Sequence, residues 1–394
     1  MKFSCESHDL AYALNKCSRL ARPSKTHPVA RNVLIEAHKE NRLLLLSATD
    51  VVSAYVTYTV RDVNVEKSGA ALVDAGSFAT FVSAVSGTVS AYVTPADRFM
   101  VKCDGKKISL RQDSRALPEL SIPEDLVEPV ITLDGNELSD LLGISFMADR
   151  GDMVASLSGT YLLAKNNILH AVASSGFRFA KASLPIQYSK TSRFLLPAST
   201  GRLLPYYLHD DAVVSIYANE KHMWFVTHRF SFACNGINER YPYTTILNHL
   251  GQERPNTISV NKLELENALK VCKELADVTN VTGKRAVFLV EGYGAESKKG
   301  TITISTSAEN EIGDMEWTII TENNIGKSFS FALNIDYLED ILTVLNRLAK
   351  SGVLADFEGT NLVNISAGEK ENESAIFFSS NTKNSVFAIM PMKV

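Results

Sequence analysis

The feature that most restricts this chain is a helical register that occurs three times at a nearly constant interval. Leu10, Ala13, Leu14 and Cys17 have the i, i+3, i+4, i+7 spacing of one helix face, and the spacing returns as Leu138, Leu141, Leu142, Ser145 and as Leu265, Ala268, Leu269, Cys272. The leading leucines are 128 and 127 residues apart. Each follows an acid (Asp9, Glu137, Glu264) and, before it, an alternating strand-like run: KFSCE, VITLD and TISVN. A second helical register repeats as Phe78, Phe81, Val82, Val85, then Gly201, Leu204, Pro205, Leu208, then Leu338, Ile341, Leu342, Leu345. Gly201 and Pro205 are poor helix-interior residues, so the middle copy is expected to be shortened or kinked. A repeat of this kind constrains the fold before any motif does.

Between these helices lie short β-rich runs such as RLLLLSATD, AYVTYTV and TITISTS. Each copy therefore reads as two helices packed on antiparallel sheet, an α+β architecture whose neighbouring sheets join edge to edge. Connectors rich in proline and polar residues, Leu117 to Pro129 and Asn248 to Asn256, divide the chain into residues 1–127, 128–253 and 254–394. The third copy is longest, lengthened by the AESKKG loop and by Glu309 to Asp314. With 45% hydrophobic and 21% charged residues, the composition is that of a soluble globular chain and excludes disorder. Forty Lys and Arg against 44 Asp and Glu give a net charge of -4, so any contact with nucleic acid has to be local. The five cysteines (Cys5, Cys17, Cys103, Cys234, Cys272) form no CxxC pair and read as reduced, intracellular thiols. Neither an export leader nor an apolar run long enough to span a membrane is evident, and a cytoplasmic location is expected.

The opening MKF with its immediate amphipathic helix, RLLLLSATD, AVASSGFRFA, RYPYTTIL and the terminal FAIMPMKV together resemble the bacterial DNA polymerase III β subunits, the sliding clamps. The terminal MPM with its basic and aliphatic neighbours is the most specific piece, and the resemblance covers the whole chain. It implies a head-to-tail homodimer whose six clamp-type domains close into a ring, with helices lining a hole for double-stranded DNA and sheets outside. It also implies a cleft that captures short clamp-binding motifs of the replicative DNA polymerase, the clamp loader and other proteins, with no cofactor, no metal and no catalytic residue. By position, one side of the cleft matches Leu157, Ser174, Gly176, Phe177, Arg178, Phe179, Pro242, Ile246 and Leu247. The other side matches Asn334, Tyr337, Thr360, Leu362, Ile389, Met390, Pro391 and Met392. Taken singly, such apolar residues usually fill a core. As a set they gain weight because methionine gives a deformable lining and Pro391 ends strand pairing. The turn after Pro242 is one residue shorter than the family pattern, and Thr245 stands where the family often has Arg.

For DNA, a helical wheel sets Lys16, Arg19 and Arg22 about 160° from the apolar face of the first helix, with Lys25 following. No acid interrupts Lys16 to Arg31, which suits phosphate contact without base reading. A solvated face whose cations complement the helix dipole explains the residues equally well, and the resemblance favours DNA. The middle copy offers only Arg150 and Arg202. Ala155 and Ser156 replace a tyrosine pair common in the family, and Ser199 replaces a basic residue, so a weak DNA grip is expected there. Lys262, Lys270, Lys273, Arg347 and Lys350 are mixed with acids. Ring closure is placed at Ile108 and Leu110 on a first-domain edge strand, with Leu275 opposite. Enzymatic readings fail: His209-Asp210-Asp211 lacks a second histidine cluster, GYGAESKKG lacks the GxxxxGK[ST] spacing, and no GxSxG or HExxH occurs. The alternative is a clamp-like, non-catalytic peptide-binding scaffold of phage or plasmid type with weakened DNA binding.

Overall fold

The computed structural model of the chain describes residues 1–22, 24–149, 154–188, 190–208, 213–251, 256–278, 284–292, 299–307, 313–322, 328–350, 362–368, 375–379 and 385–392. The chain opens with β1 (Lys2–Glu6), α1 (Ser7–Leu20), β2 (Asn32–His38), β3 (Leu43–Thr49), β4 (Ala54–Val60), β5 (Asn64–Lys67) and β6 (Gly69–Asp74). It continues through α2 (Ala75–Ser83), β7 (Thr88–Val93), β8 (Arg98–Cys103), β9 (Lys106–Arg111), β10 (Ile131–Asp134) and α3 (Gly135–Leu141), which runs into a 3-10 turn at Leu142–Met147. Next come β11 (Gly159–Lys165), β12 (Ile168–Ser174), β13 (Arg178–Pro185), β14 (Ser192–Pro197), α4 (Ala198–Leu203), α5 (Pro205–Leu208), β15 (Val213–Ala218), β16 (His222–Val226), β17 (Phe230–Asn235) and α6 (Tyr243–Leu250). The last stretch holds β18 (Asn256–Asn261), α7 (Lys262–Val278), β19 (Arg285–Glu291), β20 (Thr301–Ser307), β21 (Asp314–Ile320), β22 (Phe329–Asn334), α8 (Ile335–Lys350), β23 (Leu362–Ala367), β24 (Ile376–Ser379) and β25 (Ser385–Ile389).

Contacts divide the chain into two compact units. The first, Met1–Gly135 with Tyr207–Gly236, holds the sheets β5-β1-β7-β8-β9 and β10-β15-β16-β17-β4-β3-β2-β6. The second, Asn136–Tyr206 with Ile237–Val394, holds β14-β11-β12-β13-β25-β24-β23-β18 and β21-β20-β19-β22. One four-strand order recurs as β6-β2-β3-β4, β14-β11-β12-β13 and β22-β19-β20-β21; another recurs as β1-β7-β8-β9, β10-β15-β16-β17 and β18-β23-β24-β25. The repeat read from helix spacing is thus a repeat of connectivity. It is joined twice by antiparallel edge pairing, β4 to β17 and β13 to β25.

Each helix buries the face that its spacing specifies. Leu10, Ala13, Leu14 and Cys17 are at most 1% exposed, and Leu138, Leu142, Leu265, Ala268, Leu269, Leu338, Ile341 and Leu345 are equally buried. Strand β4 alternates buried and half-buried residues, so Ala54, Val56, Tyr58 and Val60 face the core while the hydroxyls of Thr57 and Thr59 lie on the other side. The middle helix breaks where proline predicts, with α4 ending at Leu203 and α5 starting at Pro205. Gly201 is there for close approach, since a Cβ at that position would stand 2.2 Å from Ser145 Oγ and 2.9 Å from Ser145 Cβ. Ser145 in turn accepts a bond from the Thr160 hydroxyl at 2.8 Å.

Two sequence expectations change. Lys16 was expected beside Arg19 on an open face, but it is 5% exposed. An aromatic group at the β4–β17 joint explains this: Tyr12 meets Tyr58 edge-on, Tyr58 stacks on Phe230, and the Tyr207 hydroxyl donates to the Lys16 carbonyl at 3.1 Å. The Lys16 ammonium lies 5.2 Å from the Tyr12 ring centroid, a long cation laid along an apolar wall. Leu110 was expected to line an open edge, yet it is 8% exposed. Its register partner is Phe99, and Ile108 lies opposite Val101, so both point into their own core and only the backbone edge of β9 is open. Among the described residues, no helix is long and apolar enough to cross a membrane.

Candidate functional site

An apolar cluster forms on the second unit's eight-stranded sheet at the β13–β25 joint. Val172, Phe179, Leu195, Tyr241, Ile246, Leu250, Ala375, Phe377 and Ala388 are buried in it, and Leu157, Tyr161, Ile237, Tyr243, Val386 and Met390 pack against it part-exposed. Period-two alternation explains the location: Phe179 and Lys181 face away from the side on which Ala180 and Ala182 are buried. That outer face would meet water if α6 did not fold over it. The N-terminus of α6 is held by Tyr243 N donating to the Tyr241 carbonyl at 2.8 Å. The Tyr161 and Tyr241 rings stack with centroids 5.1 Å apart, and Tyr243 lies 5.2 Å from Tyr161. The Tyr241 hydroxyl is buried without a partner among the described residues, and burial pushes its pKa well above the ordinary phenol value.

Of the matched cleft residues, Phe179 and Ile246 are buried in this cluster and Leu157 and Met390 pack against it, while Arg178 and Tyr337 meet each other. Ser174, Arg178, Phe179, Ile246 and Ile389 are buried, Leu157, Pro242, Leu247, Asn334, Tyr337, Leu362, Met390, Pro391 and Met392 are half-buried, and Gly176 and Phe177 are exposed. Thr360 lies outside the described residues. Gly176 takes a positive φ of 87° in a tight turn, where its N–H bonds Ser174 Oγ at 2.9 Å, and this turn presents Phe177 at 63% exposure. The C-terminal segment closes the other side: Met390 N donates to the Phe177 carbonyl at 2.7 Å and Met392 N to the Ala332 carbonyl at 2.8 Å. The tyrosine group had a signal in RYPYTTIL, but spacing does not pair Tyr161 with residues eighty positions away.

Arg178 points to the opposite side of the same sheet. Its guanidinium pairs with the Asp340 carboxylate on α8 and lies 4.7 Å from the Tyr337 ring centroid, while its Nε–H is buried without a partner among the described residues. This pair anchors the first residue of β13 to α8, next to the Gly176 turn. Replacing Asp340 by Asn leaves a buried guanidinium uncompensated and is predicted to cost about 3–5 kcal/mol of stability, read by urea unfolding. Arg178→Met with Asp340→Leu should recover most of that loss; wild-type stability in Asp340→Asn would contradict the assignment.

Among the cations, Arg19, Arg22 and Lys25 are exposed, Arg202 is half-buried, and Arg150 lies outside the described residues. Arg22 Nε donates to the Arg19 carbonyl at 3.2 Å and Arg202 Nε to the Ala198 carbonyl at 3.1 Å, so each also satisfies a helical carbonyl. On α7, Lys273 pairs with Glu339 and lies 3.4 Å from Asp336, which also holds Lys284 at 3.4 Å. The Glu339 carboxylate, with Asp336, raises the Lys273 pKa. The α7–α8 groove is lined by Glu266, Leu269, Glu339, Leu342, Thr343 and Asn346, and Lys270 on α7 is exposed. Arg347 and Lys350 have no described side chains, and His209, Asp210 and Asp211 lie outside the described residues. Leu275 is half-buried on α7.

Comparison with known proteins agrees with this architecture. Residues 132–243 match the family model of the DNA polymerase III beta subunit, central domain. The chain is 24% identical over 372 residues to a beta sliding clamp of Synechocystis, covering 88% of this chain and 90% of the relative. It is 22% identical over 354 residues to the beta sliding clamp of Streptococcus pneumoniae serotype 4, covering 87% and 90%. Among solved structures, the DNA polymerase sliding clamp of Bacillus subtilis superposes with a TM-score of 0.85 at 18% identity, covering 100% of this chain and 99% of that one. The sliding clamp of Pseudomonas aeruginosa gives 0.82 at 19% identity with 100% of both chains covered. Family model, curated relatives and solved structures all indicate one family, the bacterial DNA polymerase III β sliding clamps, and the chain has their fold.

Proposed function

We propose that this chain is a DNA sliding clamp: a homodimeric ring around duplex DNA that tethers the replicative polymerase, takes up the clamp loader and other motif-bearing partners, and has no catalytic site of its own. The domains are residues 1–127, 128–253 and 254–394. The observation that carries the reading is the recurring edge joint. A β4-type edge of one repeat pairs with the β9-type edge of the next, at β4–β17 and at β13–β25, and among the described strands β21 and β9 remain as the two unmatched edges of those types. An edge left open invites pairing, and a head-to-tail second copy supplies the missing strand.

The repeat also gives the register of that third joint. Phe3, Ala91, Val101 and Ile108 form one row across their sheet, as do Ile131, Ile216, Phe225, Phe232 and Ile258, Ile365, Phe378, Phe387. Phe232 faces Val56 and Phe387 faces Ala180, each one residue past the start of the β3–β4-type or β12–β13-type ladder. The matching residue on β21 is Met315, so Ile108 faces Met315, Lys107 faces Glu316 and Ser109 faces Asp314. Arg98, which donates to Ser109 Oγ at 2.7 Å and to its carbonyl at 2.9 Å, then lies beside Asp314.

Two measurements follow from this reading. Lys107→Glu or Glu316→Lys alone places like charges opposite at both joints and should weaken dimerisation on the order of tenfold at low salt, with the double exchange restoring it. Sedimentation finding the double exchange as weak as either single change would overturn the register. For DNA, replacing Arg19 and Arg22 by Ala should lower the slope of log K against log salt by roughly two, about 0.9 per lost phosphate contact. An unchanged slope in a folded dimer would favour the second reading, a peptide-binding scaffold with little DNA grip, which the pairing of Lys273 with Glu339 supports.

A further inference from the structure

From Val154 to Leu208 the sequence contains no aspartate or glutamate but holds Lys165, Arg178, Lys181, Lys190, Arg193 and Arg202, in a chain whose net charge is -4. Register sorts these by face. Leu195, Tyr161, Val172, Lys181 and Val386 form one row on the outer face of the second unit's sheet, and Arg193, Leu163, His170 and Ser183 form the next. Leu195, Tyr161, Val172 and Val386 belong to the cleft cluster, so Lys181 lies within its row and Arg193 and His170 border it. His170 Nδ1 lies 2.8 Å from Ser183 Oγ, and Arg193 is exposed. Neither Lys181 nor Arg193 has a carboxylate partner among the described residues.

We propose that this border is the docking surface for acidic residues flanking the apolar motif of a bound peptide, so that partners are chosen by an apolar anchor and an adjacent negative segment. The proposal rests on the cleft reading above and adds the charge of the flank. A single-stranded nucleic acid is the other polyanion that fits a basic sheet, but it binds by stacking bases on free aromatic rings. Here the Tyr161 ring is already stacked on Tyr241 and packed by Tyr243, and the Tyr188 hydroxyl is tied to Ser192. The neighbours of the cations are instead aliphatic, Leu163 and Val172, which suits a peptide.

The test uses the full-length protein and two fluorescein-labelled peptides sharing a leucine- and phenylalanine-containing core, one flanked by four glutamates and one by four glutamines. Anisotropy at about 50 mM salt should favour the glutamate peptide about fivefold, the sum of two exposed pairs, and the preference should fade near 500 mM. Lys181→Gln with Arg193→Gln should abolish the preference while leaving the glutamine peptide's affinity unchanged. Equal affinity of wild type for both peptides, or a preference that survives the double change, overturns the proposal. Loss of oligo-dT binding in the double variant without any peptide preference would assign the surface to nucleic acid. Failure of both peptides to bind would remove the cleft reading itself, and this proposal with it.

Discussion

A β-strand at the edge of a sheet carries a row of backbone donors and acceptors that must be hydrated, covered or paired. The way this chain uses that constraint determines its other features. At two places it satisfies the edge with a strand from another part of itself, β17 against β4 and β25 against β13. Each pairing turns two four-stranded motifs into one eight-stranded sheet. Among the described strands, chain topology then leaves one edge of each kind over, so the assembly proposed above draws on the repeat and needs no separate device. Side chains reinforce the joints differently. The first uses stacked aromatics, Tyr58 on Phe230. At the second, an ion pair of Arg178 with Asp340 ties the first residue of β13 to α8 on the inner face.

The cleft follows from the second joint. Bringing β25 alongside β13 places Ala388 next to Phe179 and Val386 next to Lys181 on a face that would otherwise be solvated. Helix α6 covers part of that face, and the C-terminal residues, no longer in the ladder, hydrogen-bond back to the Phe177 carbonyl. What remains part-exposed is a shallow apolar surface with Met390 and Leu157 at its margin. Flexible methionine there accommodates more than one ligand shape. Lys181 within the row of that surface and Arg193 at its border add a charge criterion.

Much of the architecture was legible in the sequence because it depends on local periodicity. Three helix faces, the strand before each, and the break at Pro205 follow from spacing and from the missing amide of proline. The errors arose where a tertiary surface overrides the wheel. Lys16 lies opposite the apolar face of α1, yet the Tyr12–Tyr58–Phe230 group at the joint covers it, and no local pattern encodes that partner. Leu110 alternates correctly on β9, but alternation does not say which face is the core. Of the matched cleft residues, Leu157, Phe179, Ile246 and Met390 lie in one apolar cluster. Their supports Asp340, Tyr161 and Tyr241 could not be found by spacing, because each acts through a contact with a residue far away in sequence.

The central claim is that retention on DNA depends on a closed ring rather than on affinity, consistent with the pairing of Lys273 on α7 to the acids of α8. The most direct measurement is gel filtration of labelled protein loaded onto a nicked circular plasmid, before and after the circle is cut once. The account predicts co-elution with the intact circle and loss from the linear form at moderate salt. Equal retention on circular and linear DNA would contradict it.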